Sequence, residues 1–153
     1  MNHILRESTK SDEKKIKDLI LTILSKEYPF DRSAYSDTDL DKIHEFYGGK
    51  NESFFVVDAL GNIVGTVGIK EETGEGALLR RLFVDPDCRR QGYGRELVER
   101  AISFCRSRGY KRMIFRCTDR MADAIRLCMK EGFKETENLE VSGFKIHKLE
   151  LAL

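Results

Sequence analysis

The sequence predicts an α/β protein, a mixed and mostly antiparallel sheet flanked by about four helices. Three observations carry that expectation. Ile16, Leu19, Ile20, Ile23 and Leu24 recur at the spacing of one buried helix face. SFFVVDALGNIVGTVGIK and ALLRRLFV supply successive β-rich runs divided by turns, and the second half then alternates strand-like with helix-like segments. Residues 1–153 read as a single domain, long enough to bury a core and free of linkers and repeats.

His3 to Glu7 reads as a short first strand, with Ser11 as the N-cap of the first helix. That helix stops at Tyr28-Pro29, because the residue before a proline is driven out of helical angles. A second helix is expected from Asp37 or Thr38, carrying Leu40, Ile43, Phe46 and Tyr47 to a stop at Gly48-Gly49. Leu60-Gly61-Asn62 turns the first hairpin, and Gly74 to Gly76 leads into the strand Ala77 to Val84. Asp85-Pro86 ends that strand, since proline has no amide for a central ladder. Leu97, Val98, Ala101, Ile102 and Cys105 mark a helix closed by Gly109, followed by the strand YKRMIFRC. Met121, Ala124, Ile125 and Cys128 line a last helix closed by Gly132, and two short strands finish at KIHKLELAL.

Composition narrows the function classes. With 41% hydrophobic and 35% charged residues and only two prolines, the chain is globular rather than disordered. MNHILREST lacks the apolar run of a secretion signal and no stretch is long enough to span a bilayer, so a cytoplasmic location without a membrane partner is expected. Cys88, Cys105, Cys117 and Cys128 form no CxxC pair and His3, His44 and His147 are scattered, so no metal site is expected and the thiols read as reduced. The net charge of +1 hides a division along the chain. Glu27 to Gly76 holds 11 acidic and 4 basic residues, a net of −7, whereas Ala77 to Lys130 holds 6 and 14, a net of +8. The two halves are expected to face differently charged ligands. No helix interleaves a basic face with aromatics, which argues against a nucleic-acid partner.

RRQGYGREL, Arg89 to Leu97, puts two glycines and three arginines between a strand and a helix. The first amides of a helix have no intrahelical partner and the macrodipole makes that end electropositive, so it accepts an anion. Gly92 and Gly94 let backbone approach phosphate oxygens, which suits a diphosphate. Leu97 stands where a dinucleotide fingerprint needs its third glycine, and the Gly-Lys-Ser/Thr of a P-loop is absent. Arg89-Arg90-Gln91-Gly92-Tyr93-Gly94 instead fits Gln/Arg-x-x-Gly-x-Gly/Ala. With LLRRLFVDPDCRRQGYG around it and ADAIRLCMKEGF downstream, ending in Gly132-Phe133, the chain resembles the GNAT family of acetyl-CoA-dependent N-acetyltransferases.

The resemblance implies the GNAT fold, acetyl-CoA as co-substrate, and acetyl transfer by direct attack of a primary amine on a small molecule or peptide. It implies that the main chain of Leu82, Phe83 and Val84 runs along the pantetheine arm. The amides of Arg89, Arg90, Gln91, Gly92, Tyr93, Gly94 and Arg95 would then hold the diphosphate, the arginines adding charge. A backbone amide near Val84 is the implied oxyanion donor. Three positions depart from the family pattern: Cys128 replaces a common tyrosine acid, Met121 a common asparagine, and Leu78 a glutamate base. The catalytic candidates are therefore Cys128 and Glu72. Cys128 reads either as a thiol acid or as a small core hydrophobe. Glu72, beside Glu71, is the nearest carboxylate in sequence for a base, in a turn that reads equally as solvated. Asp31, Asp37, Asp39 and Asp41, with Tyr35 among them, gather on the expected acceptor side and suit a cationic amine, although Asp37 or Asp39 also fits a helix N-cap. A homodimer is compatible with the sequence. The alternative function is a GNAT-fold module that binds CoA ligands as a sensor without turnover.

Overall fold

The computed structural model describes residues 2–29, 38–73 and 75–153. Strand β1 (His3–Glu7) leads through a 3₁₀ turn at Lys10–Asp12 into helix α1 (Glu13–Glu27). Thr9 and Asp12, rather than Ser11, organise this start. The Asp12 carboxylate accepts the Thr9 amide at 2.7 Å and both terminal nitrogens of Arg6 at 2.7 and 3.1 Å, while Ser11 bonds only the Thr9 hydroxyl.

The single second helix expected before Gly48 is divided. Thr38–Asp41 forms a 3₁₀ turn, Lys42 leaves helical angles at φ −144° and ψ 54°, and α2 spans only Ile43–Phe46. The reason is the inward turn of Asp39, whose buried side chain is held by partners on other elements rather than by the helix. Asp31, Tyr35, Asp37 and Gly74 lie outside the described residues.

Strands β2 (Ser53–Ala59) and β3 (Asn62–Glu71) form the expected hairpin. Its turn is only Leu60-Gly61, both at positive φ (54° and 90°), the two-residue geometry that follows a twisted hairpin; Asn62 already belongs to β3. Next come β4 (Gly76–Val84), α3 (Tyr93–Ser107), β5 (Arg112–Thr118), α4 (Ala122–Lys130), β6 (Lys134–Val141) and β7 (Phe144–Ala152). The seven strands make one mixed sheet in the order β1-β2-β3-β4-β5-β7-β6, antiparallel except where β4 meets β5.

Neighbouring β2 side chains point to opposite faces and show how the layers are arranged. Phe54 packs its ring 5.1 Å from Tyr47 just after α2, whereas Phe55 packs 5.7 Å from Phe104 of α3. The sheet is thus covered on both faces. Ile16, Ile20 and Leu24 of α1 and Leu97, Val98 and Ala101 of α3 are wholly buried, as their spacing predicts. Among the described residues no helix is long and apolar enough to cross a membrane.

Candidate functional site

The site begins with an interrupted pairing. Only Gly76–Leu78 of β4 pair with Arg112–Ile114 of β5; beyond them β4 continues to Val84, while Phe115 to Thr118 of β5 pair with β7 alone. The two central strands part from Leu79 onward, which leaves backbone edges unpaired in the middle of a sheet.

A β-bulge re-aims β4 at this point. Gly68 opposes Arg80 and Thr66 opposes Phe83, so β4 carries one more residue than β3 between the two pairs. Arg81 sits in the bulge at φ 53°, a left-handed conformation unfavourable for a side chain of its size. The Thr66 hydroxyl donates to its carbonyl at 2.8 Å. Its guanidinium, 5% exposed, donates from Nε and Nη2 to Asp39 at 3.0 and 2.6 Å; Asp39 is 1% exposed and also accepts the Tyr47 hydroxyl at 2.6 Å. Burial pulls the Asp39 carboxyl upward, but the Arg81 and Tyr47 bonds and the charges of Arg81 and Arg80 outweigh it and hold the group ionised below its ordinary range.

Two cavities open around the divergence. The first, about 600 Å³, is lined by Leu78 to Phe83, by Phe115 to Cys117, and by Met121, Val141, Ser142, Phe144 and Ile146. The second, about 730 Å³, is lined by Leu82 to Val84, the loop from Pro86, the start of α3 and the near face of α4. Leu82, Phe83 and Met121 belong to both walls, so the cavities meet across an apolar junction.

In the second cavity the loop sequence explains its geometry. Asp85 accepts the Asp87 amide on its side chain (2.9 Å) and the Cys88 amide on its carbonyl (2.8 Å), curling Pro86–Cys88 into a 3₁₀ turn. Arg90 and Gly92 then adopt positive φ, 65° and 85°. At Gly92 it is the positive φ that favours glycine and not lack of space, since a Cβ there would meet nothing within 4 Å. Gly92 caps α3, whose first intrahelical bond runs from the Glu96 amide to the Gly92 carbonyl at 3.1 Å. The amides of Tyr93, Gly94 and Arg95 precede that bond and have no carbonyl one turn back to bind.

Leu82, Phe83, Val84, Arg89, Arg90, Gly92, Tyr93, Gly94 and Arg95 all line this second cavity; Gln91 is in the same loop, with its side chain outside the wall. Arg89 is committed differently from the expectation for its side chain. Its guanidinium makes a bidentate pair with Glu27 at the end of α1 (2.7 and 2.8 Å) and its Nε donates to the Val84 carbonyl at 3.1 Å, so it fastens the loop to α1.

The two catalytic candidates do not reach the junction. Cys128 is wholly buried in the core and lines neither cavity. Burial, helped by Cys117 and Glu131, pushes its thiol far above the ordinary range, and its surroundings are those of a small packed side chain. Glu72 donates its amide to the Gly76 carbonyl at 2.9 Å, at the opposite end of β4 and roughly 20 Å by strand rise from Leu82. Its carboxylate pairs with Arg116 at 3.4 Å instead of entering the cleft.

Of the acidic acceptor face, Asp31, Tyr35 and Asp37 lie outside the described residues. Asp39 is consumed internally, Asp41 pairs with Lys17, and neither lines a cavity. The first cavity instead presents Arg80, Arg81 and Arg116. Sequence reading missed these because a strand with regular alternation would send Arg80 and Arg81 to opposite faces; a paired arginine inside an otherwise apolar strand was the available signal.

Comparison with known proteins places this geometry. The profile of the Acetyltransferase (GNAT) family matches residues 17–133. "Probable N-acetyltransferase camello" of Xenopus laevis is 32% identical over 99 residues, 63% of this chain and 45% of that protein. The chain spans about half the length of most of the curated relatives it matches. Among solved structures, an acetyltransferase from Streptococcus agalactiae 2603 superposes with a TM-score of 0.85 at 19% identity, covering 99% of this chain and 98% of that one. The structure of yncA from Salmonella typhimurium with its cofactor acetyl-CoA superposes with a TM-score of 0.78 at 19% identity, covering 98% and 93%.

Proposed function

The chain belongs to the GNAT family of acetyltransferases, and from that premise we propose that it moves an acetyl group from acetyl-CoA to a primary amine, with acetyl-CoA in the second cavity and the amine arriving through the first. The observation that carries this reading is the parting of β4 from β5 beside the amides that precede the first backbone bond of α3. One element offers a strand edge to an amide-bearing arm, the other an anion cradle. A relative in fold, yncA, is described with acetyl-CoA, which supports the choice of donor.

Acetyl-CoA supplies an acyl group already activated as a thioester. The amides of Tyr93, Gly94 and Arg95 hold the diphosphate, and Arg90, Arg95 and Arg126 in the same wall add charge around it. The exposed edge of Leu82 to Val84 pairs with the pantetheine arm and aims its end at the junction. There Leu82, Phe83 and Met121 exclude water. An ammonium at this apolar point loses hydration without a carboxylate in return, so the amine reacts in its neutral form and its proton leaves to solvent. Tyr28 and Tyr93, the phenols of the second wall, are available proton sources for the departing thiolate.

The test is thiol release from acetyl-CoA across a broad amine panel, with acetylated product identified by mass. Turnover with at least one amine is expected. A sensor that binds CoA ligands without turnover is the second reading, favoured by one observation: among the described residues no ionisable side chain is common to both cavity walls. Acetyl-CoA binding with no thiol release on any amine would select it.

A further inference from the structure

We propose that the first cavity selects an acceptor that carries a carboxylate beside its amine, a small apolar amino acid, with Arg80 as the residue that holds the carboxylate and Arg116 as a weaker contributor at the rim. The inference rests on the acetyl-transfer reading for its chemistry, though its binding arm does not.

The wall has a one-sided charge. Arg80, Arg81 and Arg116 line it, and among the described residues no Asp or Glu does. Compensation from behind is incomplete. Among the described residues Asp39 is the carboxylate that faces both Arg80 and Arg81; it accepts two bonds from Arg81 and one from Tyr47, while the closest Arg80 nitrogen lies 3.8 Å away, outside hydrogen-bond range. The Arg80 guanidinium is steadied by stacking 5.5 Å from the Phe46 ring and stays 31% exposed. Arg116 is 44% exposed and leans on Glu72 at 3.4 Å, so solvent and a carboxylate both screen it.

The bulge explains why the charge is in the cavity. In an even strand Arg80 and Arg81 would diverge; the extra residue lets both reach Asp39 on one face, next to the junction. The rest of the wall is hydrocarbon, chiefly Leu79, Leu82, Phe115, Phe144 and Ile146. A low-polarity wall with one underemployed planar cation binds a carboxylate bidentately and receives an apolar body. An amine with a second positive charge, or with no anion, leaves Arg80 unanswered and gains less.

The experiment compares leucine, methionine and phenylalanine with their carboxamides as acceptors. In the wild type, kcat/KM is expected to be at least tenfold higher for each acid than for its amide. Arg80→Gln lowers the value for the acids at least tenfold and leaves the amides within about twofold, Arg80→Lys recovers part of the loss, and Arg116→Gln costs the acids two- to threefold. Amides equal to or better than the acids overturn the inference and leave acetyl transfer standing. Should no amine be acetylated, calorimetry of the same pairs on CoA-saturated protein decides separately. Acid-selective binding lost in Arg80→Gln sustains the cationic subsite although the transfer reading has failed; equal binding of acid and amide, or none, overturns it.

Discussion

Asp39→Asn is the sharpest probe of how the bulge is held. Asp39 Oδ2 accepts Arg81 Nε at 3.0 Å and the Tyr47 hydroxyl at 2.6 Å, while Oδ1 accepts Arg81 Nη2 at 2.6 Å. An amide offers one oxygen, so in either orientation an NH₂ group faces at least one buried donor. An unsatisfied buried donor costs about 1–3 kcal/mol, and loss of the charge opposite a guanidinium only 5% exposed brings the total to about 3–5 kcal/mol. Urea denaturation at neutral pH measures it. Adding Arg81→Met to Asp39→Asn should restore the larger part, since the stranded cation is then gone. The sign with pH follows from the lowered carboxyl: its contribution is complete above the ordinary carboxylate range and is lost as pH falls through the folded value. A loss below 1 kcal/mol in Asp39→Asn, or no recovery in the double variant, refutes the idea that this charge pins the bulge.

Three further outcomes are expected. Gly92→Glu puts a carboxylate beside the α3 amides and forces a side chain into φ 85°, so acetyl-CoA binding by calorimetry should fall beyond detection in protein that remains folded; unchanged affinity would remove the diphosphate assignment. Cys128→Ala should lower stability by about 1–2 kcal/mol and kcat by less than threefold, and a hundredfold loss of kcat with an intact fold would return the thiol to the chemistry. Arg6 hydrogen bonding holds the Asp12 carboxyl at about 2, below its ordinary 3.8, so the stability it adds is present above 3.8 and fades toward pH 2. The melting-temperature gap between wild type and Asp12→Asn should therefore narrow over that window; a constant gap would contradict it.

The order of elements was legible because it rests on local signals: periodic apolar faces, glycine stops and the Asp85-Pro86 break. The loop proposed as an anion cradle was legible as a strand–loop–helix passage for the same reason, being written in consecutive residues. What escaped depends on partners distant in sequence. Asp39 reads as a helix cap until Arg81, arriving from β4, draws it inward and splits the expected helix at Lys42. The bulge at Arg81 has no glycine to announce it, and it alone decides which face Arg80 and Arg81 share. Cys128 looked chemical by alignment; its burial is a property of how α4 seats on the sheet, which its i, i+4 register with Ala124 indicated only as an alternative.

The division of charge along the chain has the same origin. Glu27 pairs with Arg89, Asp39 with Arg81, Glu72 with Arg116, and Glu75 with Lys111 and Arg112. Each pair joins the acidic stretch to the basic one. Four acidic side chains of the first stretch, Glu27, Asp39, Glu72 and Glu75, are thus wired to the basic stretch that folds onto it. Arg90 has no ion-pair partner among the described residues, Arg95 has Glu99 only at 4.0 Å, and Arg80 shares an Asp39 already occupied. The first two stand in the wall of the second cavity and the third in the wall of the first. Arg80, Arg90 and Arg95 are thus weakly paired cations in cavity walls, whereas Arg100, Arg106 and Arg108, also without an ion pair among the described residues, line neither cavity; a carboxylate-bearing acceptor is the counterpart proposed for Arg80.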